Sequence, residues 1–202
     1  MGIAERKGRE RAEREHRIVA AARVIAEREG WDAVTIRRLA EEIEYSQPVL
    51  YSHFENRDAI VTAVAVEGFR DITAALRKAA SGSTGRNALK NVAMAYLAFA
   101  LSRPALYEAM FVLPTNLRFA EAGTRPELHV AFEAIAAVVA PFCADVADVT
   151  ETFWAALHGL AALDRSGRIR PSARGKRIAL VVRAIMVSGN SSPARGRYHS
   201  VE

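Results

Sequence analysis

Apolar residues recur along this chain at the spacing of an α-helix, and this pattern restricts the fold more than any other feature. In the first helical segment, Ile18, Ala22 and Ile25 fall on one face, together with Ala21 and Ala26. Similar spacing continues to about residue 188, glycine and proline fall at segment ends, and strand-like alternation is absent. We therefore predict an all-α fold of about nine helices, with disordered tails at residues 1–13 and 189–202.

The composition excludes several classes of protein. Half of the 202 residues are hydrophobic, which is enough for a buried core, but no apolar run reaches the roughly 20 residues of a membrane helix. The charged N-terminal segment lacks the apolar stretch of a secretory signal, and the single cysteine, Cys143, cannot form an internal disulfide. We expect a cytoplasmic protein that does not contact a membrane.

The distribution of reactive side chains argues against an enzyme. The histidines stand isolated at positions 16, 53, 129, 158 and 199. The sequence has no spacing typical of a nucleophile, histidine and acid, no glycine-rich phosphate loop and no cluster of metal ligands. We therefore expect no catalysis, no bound metal and no cofactor.

The net charge of +5 is unevenly distributed. Residues 1–57 are neutral overall, residues 58–164 carry −3, and residues 165–202 carry +8. A basic excess is typical of nucleic-acid-binding segments, but here it lies at the C-terminal end. The basic run from Arg165 to Arg183 is either solvated or in contact with nucleic acid. The distribution of charge alone therefore does not indicate nucleic-acid binding.

Residues 31–60 contain the most informative motif. Two short helical segments, 36–43 and 47–53, are joined by a tight connection of three or four residues, the spacing of a helix-turn-helix. Thr35 and Ser46 are suited to cap these segments, and Pro48 lies in a first turn, where a missing N–H is tolerated. The second segment is too short to bury much of its surface. The side chains predicted on its outer face are unusual for a surface without a binding partner. They are Gln47, Val49, Ser52 and His53.

This region resembles the tetracycline-repressor (TetR) family of transcriptional regulators. The resemblance covers residues 14–70, through TIRRLA at 35–40 and SQPVLYSHFENRDAI at 46–60, and its most specific residues are Leu50, Tyr51, His53, Phe54 and Arg57. It departs at Glu44, where the family usually has glycine, so we expect either a positive φ or a different turn there. The resemblance implies a helix-turn-helix DNA-binding domain over residues 14–56, then a helical ligand-binding and dimerisation domain over 57–188.

The resemblance also implies which residues contact double-stranded DNA. Arg37, Gln47 and Val49 would contact base edges, because arginine can grip guanine, glutamine can pair with adenine and valine can touch a thymine methyl. Alternatives remain open, since Val49 can be a core residue, Tyr51 can pack inward, and the arginines can be solvated. Glu41, Glu42 and Glu44 would then point away from DNA and pair with nearby arginines. The resemblance places six further residues at the DNA, where contacts to phosphates position the protein without specifying sequence. They are Arg38, Pro48, Tyr51, Ser52, His53 and Arg57.

The C-terminal half carries a weaker resemblance. The sequence FWAALHGL at 153–160, followed by SGR at 166–168, is similar to a subgroup of TetR-family ligand-binding domains with a Trp-x-x-x-His-Gly pattern. This resemblance implies a small apolar or aromatic ligand among the helices of residues 86–164. Each candidate side chain can equally be an ordinary core residue. The candidates are Tyr107, Phe111, Phe132, Trp154 and His158.

The last two predicted helices, 148–164 and 173–188, each carry an apolar stripe that a second copy of the chain could cover in a four-helix bundle. Together with the resemblance, this pattern predicts a homodimer that binds a palindromic operator, represses transcription and is released by a small ligand. Two alternatives remain. One is an activator, and the other is a helical adaptor that keeps the fold without reading DNA. A steep salt dependence of DNA binding would distinguish a DNA-reading protein from an adaptor.

Overall fold

The structure, a computed structural model, describes residues 2–117 and 124–188. Within these ranges it contains nine α-helices and three short 3₁₀ turns, at Trp31–Ala33, Ala140–Phe142 and Pro171–Ala173, and no β-strand. The prediction of an all-α fold of about nine helices is confirmed, whereas the predicted tail at 189–202 lies outside the described residues. The helices are α1 Ile3–Glu29, α2 Ile36–Glu42, α3 Gln47–Tyr51, α4 Arg57–Ala80, α5 Gly85–Ser102, α6 Pro104–Phe111, α7 Pro126–Val139, α8 Val146–Arg165 and α9 Arg174–Ser188.

Local capping explains where several helices begin. The hydroxyl of Thr35 accepts a hydrogen bond from the backbone N–H of Arg38 at 3.1 Å, which caps α2 as predicted. The side-chain oxygen of Asn56 accepts from the N–H of Ala59 at 2.9 Å and caps α4. Ser46 occupies the N-cap position of α3 but makes no side-chain hydrogen bond to that helix. Pro104 opens α6, where its missing N–H costs nothing.

The first helix is longer than the sequence suggested, and the prediction of a disordered tail over residues 1–13 is wrong from Ile3 onward. The alternating acids and bases of this segment form ion pairs one turn apart, Arg6 with Glu10 at 3.7 Å and Arg11 with Glu15 at 2.9 Å. Each such pair stabilises a helix by about 0.2–0.5 kcal/mol. The charges that indicated a frayed tail therefore support the helix instead.

The described residues form two compact units. Of the described residues, the first unit comprises 2–74, 99–117 and 124–131, and its core includes Ile18, Ile25, Leu39 and Leu50. The second unit comprises the described residues 75–98 and 132–188 and is built around buried side chains of α5, α8 and α9 such as Leu89, Phe153 and Ile178. The first unit therefore holds the helix-turn-helix motif together with α6. The assignment of DNA binding to residues 14–56, and of ligand binding and dimerisation to residues 57–188, remains a prediction.

Within the described ranges, no single helix is both long and apolar enough to cross a membrane. Two consecutive segments, Pro126–Phe142 and Val146–Arg165, meet the criteria of length and composition only when taken together. The same ranges contain no group of three or more His, Cys, Asp or Glu side chains that could hold a metal ion.

Candidate nucleic-acid interface

The turn between α2 and α3 has an unusual backbone conformation at Glu44. Its φ is 56°, and among the described residues it alone combines a positive φ with a side chain other than glycine's hydrogen. The N–H of Tyr45 closes the turn on the carbonyl of Ala40 at 2.9 Å. A positive φ was one of two possibilities expected for a non-glycine residue here, and the structure adopts it. The spacing of a helix-turn-helix is thus kept at a cost in backbone strain.

The third helix is held by one deeply buried side chain and presents the rest of its surface to solvent. Leu50 is fully buried, whereas 36% of Val49 and 54% of Tyr51 are exposed. Gln47, Pro48 and Ser52 are also exposed. The alternatives in which Val49 lies in the core or Tyr51 packs inward are therefore wrong. A five-residue helix that exposes an aromatic and an aliphatic side chain offers a small amphipathic surface for recognition.

The arginines of α2 carry carboxylate partners. The Arg37 side chain is 81% exposed, and its Nε donates to Oε1 of Glu41 at 2.9 Å. Arg38 lies 2.8 Å from Glu42 and 3.4 Å from Glu29. Glu41 and Glu42 thus pair with arginines, as expected. Because Arg37 is exposed and bound only within its own helix turn, it can exchange its partner for another acceptor at low cost.

Two predicted phosphate contacts have other partners. The prediction that His53 lies on the outer face is wrong, because its side chain is only 5% exposed and its Nδ1 lies 3.3 Å from Oε1 of Glu15 in α1. The guanidinium of Arg57 donates to the carbonyls of Val34 at 2.8 Å and Trp31 at 2.7 Å. The Trp31 carbonyl also accepts the backbone N–H of Val34 at 3.1 Å, so the cation adds a second donor there and supplies a donor to the Val34 carbonyl. Both side chains hold the motif together from within.

A connection to α6 was missed by sequence reasoning. The carboxylate of Glu27 accepts hydrogen bonds from the N–H groups of Ala105 at 3.2 Å and Leu106 at 3.0 Å, and the indole of Trp31 donates to the carbonyl of Ala105 at 2.8 Å. A signal existed, since Arg103 at the N-cap position of α6 provides no side-chain cap and the first N–H groups of a helix need acceptors. Nothing in the sequence indicated that the acceptor lies 78 residues earlier.

Close packing supports this connection within the first unit. A Cβ added to Gly68 in α4 would lie 2.6 Å from Sδ of Met110 in α6. Glycine therefore permits a close approach of these two helices. Asp71 of α4 adds ion pairs with Arg23 at 2.9 Å and Arg103 at 3.2 Å. The helix-turn-helix motif is thus attached to α6 through α1, through the turn at Trp31 and through α4.

Comparison with known protein families identifies the chain. Residues 18–64 match the family model of bacterial regulatory proteins of the tetR family, and residues 89–185 match the tetracyclin repressor-like C-terminal domain. The chain belongs to the TetR family. It is therefore a DNA-binding transcriptional regulator, which agrees with the expectation that it is not an enzyme. The finer C-terminal Trp-x-x-x-His-Gly grouping remains a prediction.

Relatives of this TetR-family regulator are found among bacterial proteins. Rv0681 of Mycobacterium tuberculosis, described as an HTH-type transcriptional regulator, is 31% identical over 157 residues, 74% of this chain and 69% of that protein. YobS of Bacillus subtilis, described in the same way, is 33% identical over 92 residues, 46% of this chain and 48% of that protein.

Solved structures share the fold. A protein of unknown function from Rhodococcus sp. RHA1 has a TM-score of 0.71 at 24% identity, covering 86% of this chain and 93% of that chain. A single-substitution variant of TetR from Acinetobacter baumannii, solved in complex with minocycline, has a TM-score of 0.61 at 19% identity, covering 86% and 97% of the two chains.

The predicted ligand contacts of this TetR-family chain fall in both compact units. Tyr107 and Phe111 belong to the first unit, with ring centroids 4.8 Å apart, and the Phe111 ring also meets Phe69 edge-on at 5.4 Å. Tyr107 is buried, so these rings form part of a packed aromatic cluster.

The other three candidates, Phe132, Trp154 and His158, lie in the second unit and are partly buried. The indole of Trp154 donates to the hydroxyl of Tyr96 at 3.0 Å. Burial, followed by the nearby charge of Arg165, lowers the pKa of His158 below its ordinary value. A neutral imidazole is suited to a hydrogen bond with an uncharged ligand, and the ligand role of all five side chains remains a prediction.

Proposed function

We propose that this TetR-family regulator is a cytoplasmic repressor that binds a palindromic operator as a homodimer and is released by a small apolar ligand. The observation that carries the DNA-reading part is the exposed face of α3, where Gln47, Val49 and Tyr51 project from a helix anchored by Leu50. A short helix that is held firmly and exposes such side chains is suited to the major groove.

The exposed side chains of this surface support distinct roles. Arg37 and Gln47 are the residues we assign to base edges, and Val49 to a thymine methyl. Arg38, Tyr51 and Ser52 are assigned to phosphates, which position the protein without specifying sequence. Pro48 shapes the first turn of α3 and adds an apolar contact at most. His53 and Arg57 support this surface from inside the motif.

A homodimer is supported by the outer surfaces of α8 and α9. Leu163, Leu180 and Val187 are large apolar side chains that are exposed in the single chain. On α8 the neighbouring surface is small, with Ala155 exposed and open space around the position of a Cβ at Gly159. A second copy could approach these helices closely and cover the apolar side chains, and a two-fold dimer places its recognition helices about 34–36 Å apart or a multiple of that distance.

Ligand release is supported by the connection between α6 and the helix-turn-helix. Tyr107 and Phe111 lie on α6, and the first turn of that helix is held by Glu27 and Trp31. A ligand that contacts these rings and shifts α6 would pull on α1 and on the turn before α2. The spacing of the two recognition helices in a dimer would change, and operator affinity would fall.

The DNA-reading proposal is tested by selecting duplexes from a random library on the wild-type protein and measuring their affinity by fluorescence anisotropy at several salt concentrations. We expect specific binding that weakens steeply with salt through counterion release. Arg37→Ala and Gln47→Ala should each reduce discrimination against random DNA by about 1–3 kcal/mol. Arg86→Ala, which removes an exposed arginine on α5, serves as the control.

The outcomes separate the alternatives. Failure to enrich any duplex would favour the helical adaptor. A reporter placed behind the selected sequence distinguishes a repressor from an activator, because removal of the regulator raises expression in the first case and lowers it in the second. A monomeric mass at micromolar concentration, measured by light scattering, would contradict the dimer.

A further inference from the structure

The N-terminal half of α1 extends beyond the hydrophobic core. Among the described side chains of this helix, Ile18 is the first that is buried, and residues 4–17 contribute none. This extension of about four helical turns nevertheless contacts the rest of the first unit through side chains. The contacts join Arg11 to Ser52, Glu15 to His53, and His16 to Glu67.

Two of these contacts meet the C-terminal end of α3. The guanidinium of Arg11 uses two nitrogens: Nε lies 2.9 Å from Oε1 of Glu15, and Nη2 donates to the carbonyl oxygen of Ser52 at 3.2 Å. The same Oε1 of Glu15 lies 3.3 Å from Nδ1 of His53. Ser52 is the C-cap residue of α3, and carbonyl groups at a helix end lack donor partners within the helix. Arg11 and Glu15 therefore act as one clamp on two consecutive residues.

The third helix needs such a clamp because of its small buried surface. It has five residues, and Leu50 is its only buried side chain. One buried side chain fixes the position of a short helix but leaves it free to rotate about that anchor. A second attachment at the C-terminal end restrains this rotation. The direction in which the side chains of Gln47 and Val49 point therefore depends on this second attachment.

We propose that Arg11 and Glu15 are positioning residues that fix the orientation of the recognition helix α3 from the N-terminal extension of α1. For its consequence in DNA reading, this inference rests on the proposed function. Its structural part concerns the free protein and can be tested without DNA. Arg11 itself contacts α3 and is not assigned to DNA.

Hydrogen exchange of the free protein, read on peptides covering residues 46–54, tests the clamp directly. Arg11→Ala should increase exchange in this segment by about 3- to 10-fold, the ratio that the loss of one or two exposed hydrogen bonds gives. Arg6→Ala is the matched control, because it also removes one positive charge and one ion pair within α1, and the pair it removes, with Glu10, does not reach α3. Exchange at 46–54 should not change in this control, and the thermal stability of both variants should stay close to wild type.

Arg11→Lys separates geometry from charge. Lysine keeps the positive charge but carries its donors on one compact nitrogen, which does not reproduce the planar fork that places two guanidinium nitrogens on Glu15 and the Ser52 carbonyl. We expect exchange close to that of Arg11→Ala. Wild-type exchange in Arg11→Lys, no change in Arg11→Ala, or equal changes in Arg11→Ala and Arg6→Ala would each overturn the proposal.

The DNA experiment uses a duplex enriched on the wild-type protein. Arg11→Ala should lower the ratio of specific to random affinity by about 3- to 10-fold with an unchanged salt slope, since no phosphate contact is lost. A salt slope reduced by about one, with random DNA weakened equally, would identify Arg11 as a phosphate contact and overturn the positioning role. If the wild-type protein enriches no duplex, the proposed function fails. The exchange experiment still tests whether Arg11 and Glu15 restrain α3 in the free protein.

Discussion

The indole nitrogen of Trp31 donates a hydrogen bond of 2.8 Å to the carbonyl oxygen of Ala105. Both residues are buried, and they join the turn between α1 and α2 to the first turn of α6. Because this buried hydrogen bond joins two segments far apart in the chain, it contributes to the stability of the first unit.

Replacing Trp31 with phenylalanine removes the donor and keeps an aromatic ring. We expect Trp31→Phe to lower the free energy of unfolding by about 1–3 kcal/mol, measured by urea denaturation. Trp154→Phe is the matched control, because its indole also donates a hydrogen bond, to Tyr96, but is only partly buried. An equal loss of stability in the two variants would contradict a special role for the bond to Ala105.

We expect Arg57 to contribute mainly to the stability of the fold and less to direct contact with DNA. Arg57→Ala removes the donor to the carbonyl of Val34 and one of the two donors to the carbonyl of Trp31, and we expect it to lower the free energy of unfolding by about 1–3 kcal/mol. Arg77→Ala, at an exposed position of the same helix, should have little effect. If Arg57→Ala unfolds like the wild type but binds all DNA more weakly, the original assignment to a phosphate contact would be restored.

The difference between these residues shows what the sequence could predict. Thr35 and Asn56 cap helices through backbone groups only three residues away. The positive φ of Glu44 could be predicted as one of two possibilities because a non-glycine residue occupies a position where the family usually has glycine. His53 and Arg57 instead find partners 38 and up to 26 residues away. Their orientation is set by tertiary contacts, and a local pattern contains no information about them.

The same limit applies to the N-terminal extension of α1. The alternating charges of the sequence predicted a disordered tail at residues 1–13. Once the helix is formed, its ion pairs and its contacts with α3 follow from geometry. The contacts of α6 with Glu27 and Trp31 were likewise beyond a sequence pattern.

Glu44 offers a test of the strain in the turn. A non-glycine residue at φ 56° costs about 1–2 kcal/mol, and glycine pays roughly half of that in extra unfolded-state entropy. We expect Glu44→Gly to raise the free energy of unfolding by about 0.5–1 kcal/mol. In contrast, Glu41→Gly, in the regular helix α2, should lower it by about 1 kcal/mol. Destabilisation by Glu44→Gly would mean that the carboxylate makes a contribution larger than the strain.

Asp164 makes stability depend on acid pH. Its carboxylate is 2% exposed and accepts a hydrogen bond from Nε of Arg174 at 2.6 Å. This bond, opposed by burial, holds the pKa of Asp164 below its ordinary value of 3.8. The folded pKa is therefore below the unfolded one, so the stabilisation is complete above about pH 4 and is lost as the pH falls from there through the folded pKa.

We expect Asp164→Asn to lower the free energy of unfolding by about 2 kcal/mol at neutral pH, less than for a fully buried pair because 36% of the Arg174 side chain is exposed. The difference from the wild type should shrink as the pH falls below about 4, measured by urea denaturation at several pH values. Glu151→Gln, an exposed carboxylate on the same helix, is the control. A difference that stays constant down to low pH would show that the carboxylate does not act through its charge.

We expect binding of the ligand and binding of the operator to oppose each other in this regulator. A compound found by a thermal-shift screen of apolar and aromatic molecules should bind operator-bound protein more weakly than free protein. The factor should equal that by which it weakens the operator, typically about 5- to 150-fold, because the coupling free energy is shared by the two sites. Trp31→Phe breaks one of the connections between α6 and the helix-turn-helix and should bring this factor closer to one. Calorimetric titration of free and operator-bound protein measures both affinities. Equal ligand affinity in the two states would rule out release by this route, and an unchanged factor in Trp31→Phe would place the coupling in another connection, such as the approach of Met110 to Gly68.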